Sequence, residues 1–353
     1  MKTKLLPTMI GAILAGGMTA AAADVTVFGH LDASVVGWDD DDAIGISDKS
    51  QHDTDSPDYD GSDVNFICTT CSIGFKGSEE LGNGLSAIFK LDFQFDMFNQ
   101  TSGGSITDRD QWAGLAGNFG QVTFGTMSTT YKSHGAMLDP GYRTVVQMRD
   151  VGIQSTLHSG AGEEGEGRAD NSMRYDSPSW NGLKVAATYT LDSDETDGED
   201  NDPYGAGVSY ENGGILVFAD YITNDGGEDD DAYKLGGKYT YNDFSVFGQY
   251  EWDGGLISSV TNETPVDNTV DGADVWMLGG SYTMGNNTVY AAYGQGDDAS
   301  GTPEDEGYDS WEIVGYHAMS KRTLVYGGYV DISPDESDVD DASAWTLGMK
   351  HKF

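Results

Sequence analysis

Basic residues are scarce in this chain. Lysine and arginine together number 18 against 59 aspartates and glutamates, a formal charge of -41. A chain this acidic repels a phosphate backbone, so nucleic acid is excluded as a partner. Cysteine is nearly absent, with Cys68 and Cys71 alone. Two thiolates supply half of a tetrahedral zinc shell, and a thioredoxin-like pair would need a βαβ setting that the surrounding pattern lacks. The six histidines (His30, His52, His134, His158, His317 and His351) are scattered, and no G-x-S-x-G occurs. Both facts argue against the Ser/His/acid constellation of an outer-membrane esterase or phospholipase. Long apolar runs are missing too: after Asp24 nothing approaches the roughly 18 residues of a membrane helix. The mean hydropathy of -0.43 would ordinarily mean a soluble protein. A closed β-barrel escapes that inference, because its strands need apolar side chains on one face only.

The first 23 residues join Lys2 and Lys4 to a short apolar run and a small-residue tract ending near Ala23. This is the pattern of a secretory signal peptide, with the mature chain expected to begin at Asp24.

The acids gather in runs: DDDD at 39 to 42, DSDETDGEDND at 192 to 202, GGEDDDA at 226 to 232 and DESDVDDA at 335 to 342. They read as solvated loops. None has EF-hand spacing, so divalent cations such as Ca2+ are the only cofactor they suggest. Loops this rich in carboxylates also suit a saline medium, which screens their repulsion.

Between the runs, hydrophobicity alternates with period two. In LSAIFKLDFQFDM, Leu85, Ala87, Phe89, Leu91, Phe93, Phe95 and Met97 oppose Ser86, Lys90, Asp92, Gln94 and Asp96. In FSVFGQYEW, Phe244, Val246, Tyr250 and Trp252 oppose Ser245, Gln249 and Glu251. Tight turns such as EELGNG, ENGG and MGNN alternate with the long acidic connections. That asymmetry suits a barrel with one rim of turns and one of loops. Aromatics near strand ends (Tyr189, Tyr210, Tyr221, Tyr241, Trp252, Tyr293, Tyr329) fall where interfacial girdles lie. The count is about 16 strands, an even number within the range of bacterial barrels. One connection, about 129 to 169, is far longer than the rest and follows the fifth strand; loops this long are usually functional or disordered.

At this point the motifs resemble those of the trimeric general porins of Gram-negative outer membranes. The matching stretches, in order, are VTVFGHLDASV, IGFKGSEELGNGLSAIFKLD, RDQWAGLAGNFGQVTFGT, RADNSMRYDSP, SKRTLVYGGYV and the ending WTLGMKHKF. The resemblance implies an all-β, 16-stranded antiparallel transmembrane barrel over 24 to 353, associating as homotrimers in outer-membrane lipid and lipopolysaccharide. It also implies that the loop of residues 129 to 169 folds into the lumen as a constriction, and that Phe353 ends a last strand presented to the outer-membrane assembly machinery. Such a channel passes ions and small hydrophilic solutes and needs no bond chemistry, only a radius and a field.

Carried over by motif, Arg109 and Arg168 match eyelet arginines of the family, with Arg174 and Lys90 as further wall candidates and Asp139, Asp150 and Glu163 as acidic partners on the loop. Where many family members read Ser-Arg before the GFKG-like segment, this chain reads Cys71-Ser72. Ser72 lies opposite Ile73 and Phe75, so it is expected to face the lumen, where it marks a missing charge. The acid excess against the arginine cluster then suggests weak cation selectivity. A solute-specific channel and, less well supported, a secreted acidic binding or adhesion protein are the alternative readings.

As for the cysteines, an exported compartment permits a disulfide. In a regular strand, residues three apart lie roughly 10 Å apart on opposite faces, too far to bridge. A Cys68–Cys71 bond therefore requires a turn or bulge at residues 68 to 71.

Overall fold

The computed structural model describes residues 24–39, 62–98, 106–158, 167–191, 202–224, 231–257, 273–297, 307–335 and 341–353. The signal-peptide segment, Glu163 and most of the acidic runs lie outside the described residues.

Seventeen strand segments form one antiparallel sheet. They are β1 (Asp24–Asp39), β2 (Ser62–Cys68), β3 (Ser72–Gly82), β4 (Leu85–Gln94), β5 (Thr107–Gly117), β6 (Gly120–Ser128) and β7 (Arg168–Asp176). Then follow β8 (Leu183–Thr190), β9 (Tyr204–Asn212), β10 (Ile215–Thr223), β11 (Asp231–Tyr241) and β12 (Phe244–Gly254). The ring is completed by β13 (Val275–Met284), β14 (Asn287–Gly296), β15 (Tyr308–Ala318), β16 (Thr323–Pro334) and β17 (Ala342–Lys352). Apart from β2 and β3, which both pair with β1, consecutive segments pair with one another, and β17 returns to pair with β1 from His30↔Lys352 to Asp39↔Ser343. Closure is completed beyond the last strand, where Phe353 N donates to Gly29 O at 3.1 Å and Gly29 N to Phe353 O at 3.0 Å. A closed ring leaves no edge and satisfies every strand's backbone groups internally, as hydrocarbon requires.

Seventeen segments make sixteen staves because β2 and β3 are one stave, broken in the middle. Both pair with β1, β2 from Ala33↔Cys68 outward and β3 from His30↔Ser72 outward. Thr69, Thr70 and Cys71 therefore face only Leu31 and Asp32 across the ladder, a bulge of one extra residue. Cys68 and Cys71 are joined by a disulfide across it, their Cα atoms 5.7 Å apart. Where period-two reading expects one strand over 64 to 77, the ladder is interrupted at this bulge.

Two-residue turns join β3–β4, β5–β6, β9–β10, β11–β12 and β13–β14 at one rim, where β15–β16 and β7–β8 are joined by four and six residues, and the other connections leave from the opposite rim. The exposed face carries two aromatic bands. Tyr233, Trp252, Tyr293 and Trp311 lie toward the long-connection rim, and Tyr241, Phe244 and Tyr282 toward the tight-turn rim. On β12 the bands are set by Trp252 and Phe244, about 26 Å of strand at roughly 3.3 Å per residue. Allowing for strand tilt, this is comparable to the ~25 Å apolar belt of an outer-membrane barrel.

The inward face is not uniformly wet. From β10 to β17 it carries Leu216, Phe218, Phe247, Met277, Tyr290, Val314 and Val330, all buried. These pack with Leu138, Val145, Val146, Met148, Val151 and Ile153 of the segment between β6 and β7 into a single apolar cluster. Alternation along those strands thus gives apolar residues on both faces, one set for the exposed belt and one for this segment.

Candidate pore site

The segment after β6 opens with a short helix, α1 (Thr130–Gly135), whose N-cap Thr129 accepts from Lys132 N at 3.2 Å. Two 3₁₀ turns follow, Met148–Asp150 and Thr156–His158. Arg168 and Ala169, counted with the connection from sequence, begin β7 instead, paired to Ser128 and Met127.

Hydrogen bonds tie this segment to staves on several sides of the ring. Glu251 of β12, fully buried, accepts from Tyr131 Oη at 2.7 Å, Ser155 Oγ at 2.5 Å and Ser155 N at 3.2 Å. Lys234 of β11 donates to Tyr131 O, lies 3.0 Å from His158 Nε2 and stands 3.6 Å from Asp220 of β10. Asp220 in turn pairs with His134 at 2.7 Å. Farther round, Ser310 of β15 donates to Val151 O at 2.5 Å, Lys350 of β17 to Tyr142 O, and His30 of β1 contacts Arg143 O at 3.0 Å. Burial shifts several ionisable groups of the segment. Desolvation pushes the Asp139 carboxyl up to about 7, raises Tyr131 well above the phenol range, and pulls Lys132 and His158 well down.

The polar side of the site is built on β3 to β7. A bulge between Leu91 and Phe93 sets Arg109 and Asp110 opposite the single Asp92. Two consecutive residues, which a regular strand would send to opposite faces, can then both engage inward side chains. Arg109 lies 3.5 Å from Asp92 and donates to Gln94 at 2.5 Å. Asp110 clamps two cations, Lys90 at 2.6 Å and Arg168 at 3.1 Å. Arg174 pairs with Asp176 at 2.7 Å and reaches Ser128 O at 2.7 Å. It also lines a cavity of about 350 Å³ with Ser133, His134, Lys184 and Glu211.

Asp139 and Asp150, two of the acidic residues expected to face these cations, are bonded within the segment itself. Asp139 is buried and accepts from Met148 N at 3.1 Å, and Asp150 accepts from Gln147 and stands 3.6 Å from Arg149. Ser72 is fully buried on the inward side while Ile73 and Phe75 are exposed. Its hydroxyl receives Arg143 Nη2 of the segment at 2.8 Å. Arg143, Glu251 and Lys234 were not singled out from sequence. The polar phase of β12 placed Glu251 inward, but nothing local pairs it with residues 96 or 120 positions away. Among the described residues no group of three or more His, Cys, Asp or Glu is placed to hold a metal ion.

Comparison with known proteins agrees with the architecture. The family model described as Gram-negative porin matches residues 8–337. The major outer membrane protein P.IB of Neisseria meningitidis is 27% identical over 363 residues, covering 98% of this chain and 99% of that protein. Among solved structures, the anion-selective porin from Comamonas acidovorans superposes with a TM-score of 0.73 at 20% identity, covering 94% of this chain and all of that one. The outer membrane channel DcaP of Acinetobacter baumannii gives 0.66 at 17% identity, over 94% and 97%.

Proposed function

The chain belongs to the Gram-negative porin family, whose members are outer-membrane channels and not enzymes, and from that premise we propose a water-filled pore for passive diffusion, narrowed by the segment after β6. The observation that carries the narrowing is the set of ties from Glu251, Lys234, Ser310, Lys350 and His30, which reach this one segment from five different staves. A segment fastened at so many points around a closed ring crosses the lumen. Its apolar side is spent on β10 to β17, so solutes pass between its polar side and the wall of β3 to β9.

Two fields act on an ion there. The acid-rich connections favour cations at the long-connection rim, and the cations of β4, β5 and β7 favour anions in the narrows. The first is long-ranged and screened: the Debye length is about 30 Å at 0.01 M salt but about 3 Å at 1 M. The pore is therefore weakly cation-selective in dilute salt and shifts toward anions as salt rises. Like other porins it functions without a cofactor, and it works as a homotrimer, its aromatic-banded exposed face shared between lipid and partner copies. Stepwise conductance of the purified protein in a planar bilayer, with an SDS-resistant trimer band lost on boiling, would support this reading. A water-soluble monomer without channel activity would overturn it.

A further inference from the structure

We propose that Arg143 sets the anion affinity of the pore: a guanidinium carried by the loop and seated on the Cys68–Cys71 bulge, it receives small anions, carboxylates above all. The inference rests on the channel reading above and assigns its selectivity to one side chain.

The case begins with what Arg143 touches. Its Nη2 donates to Ser72 Oγ at 2.8 Å and to Thr70 O at 3.1 Å, and its Nε reaches Thr70 Oγ1 at 3.4 Å. All three acceptors are neutral. Arg109, Arg149, Arg168 and Arg174 each stand within 4 Å of a carboxylate, and among the described residues Arg143 does not. A guanidinium presents its donors as a planar fork that matches a carboxylate. Arg109, Arg149 and Arg168 are buried, while Arg143 keeps part of its surface exposed.

The seat is specific. Arg143 has φ of 63° and Thr70 φ of 51°, so both residues occupy the left-handed region, which a β-branched residue rarely adopts. The disulfide-closed bulge turns Thr70 so that its carbonyl meets the guanidinium, and Gln147 Oε1 holds Arg143 N at 3.1 Å. Such backbone outliers persist where surrounding structure fixes them. Locally the charge is unbalanced: Lys90, Arg109, Arg143 and Arg168 share Asp92 and Asp110. Arg143 and Arg168 both act electrostatically on Arg109. One incoming anion relieves that repulsion.

The test is the reversal potential of single channels in a KCl gradient, repeated with potassium acetate. Arg143→Gln should lower the anion-to-cation permeability ratio by about tenfold, because one unit charge through water at about 6 Å favours an anion and disfavours a cation by about threefold each, while Arg143→Lys keeps most of it. Moving the charge across the contact, in Arg143→Ser with Ser72→Arg, should restore the ratio that Arg143→Ser alone loses. If Arg143 merely latched the loop, Arg143→Lys and Arg143→Gln would behave alike and the exchange would restore nothing, and either result overturns the proposal. A wild-type protein that conducts nothing would instead remove the channel reading on which it rests.

Discussion

The phenol of Tyr131 donates to the Glu251 carboxylate at 2.7 Å, across 120 residues of sequence. Glu251 also takes both the hydroxyl and the amide of Ser155, so one inward carboxylate fastens the two ends of the loop segment to β12. Replacing it with leucine strands four buried donors, Tyr131 Oη, Ser155 Oγ, Ser155 N and Gln249 Nε2, at roughly 1–3 kcal/mol each before relaxation. Glu251→Leu is expected to free the segment: single-channel conductance should rise and become noisy, with the barrel itself still formed. Conductance identical to wild type would show that the segment does not depend on this anchor.

Asp139 gives the segment a pH dependence. Burial holds its carboxyl up to about 7 against about 3.8 in an unfolded chain. The folded form binds the proton more tightly, so this contribution is full below pH ~4 and declines as pH rises, being lost above pH ~7. Hydrogen exchange of the Met148 amide, which donates to Asp139, should therefore quicken between pH 4 and 7 beyond its intrinsic rate. Asp139→Asn should flatten that profile, and an unchanged profile would show that Asp139 does not govern it.

The Cys68–Cys71 bridge closes a very short loop, for which chain entropy gives about 2 kcal/mol. Substituting both cysteines by serine should lower the unboiled-to-boiled gel transition by a few degrees. It should also loosen the seat of Arg143 and so weaken anion preference. A variant with both properties unchanged would show that the bulge holds its shape without the bond.

Closure of the ring depends on a glycine. A Cβ at Gly29 would fall within the Phe353 ring, at the point where the two residues exchange backbone hydrogen bonds. Gly29→Val should cost about 1–3 kcal/mol by forcing the ring aside, and Phe353→Ala should relieve most of it in a double-mutant cycle. Additive losses would place the strain elsewhere. If Phe353 is the signal that the assembly machinery reads, Phe353→Ala alone should also reduce the amount reaching the outer membrane.

How much of this was legible in sequence follows from the range of each cause. Alternation along LSAIFKLDFQFDM or FSVFGQYEW is local, set by a strand lying between lipid and interior, and it located the strands to within a few residues. The break at Cys68–Cys71 was legible as a condition, because a bond there demands a bulge. Arg109 and Arg168 were singled out through motifs and Lys90 through the polar face of its strand, yet their sharing of Asp92 and Asp110 depends on a bulge in β4–β5 pairing that no local pattern announces. Arg143 was missed for a related reason. It lies in an aperiodic loop expected to contribute carboxylates, and its partner Ser72 is 71 residues away. The apolar inward face of β10 to β17 was not legible, because period two reports a change of face, not what covers it.

In the proposed open pore a screened acidic rim and a cationic narrows compete. Single-channel reversal potentials of the wild-type protein, measured across KCl gradients centred near 0.01 M and near 1 M, test it most directly. Stepwise, ohmic channels are expected, with a reversal potential that moves from the cation side in dilute salt toward the anion side in concentrated salt. Absence of channels, or a selectivity that stays the same at both concentrations, would contradict it.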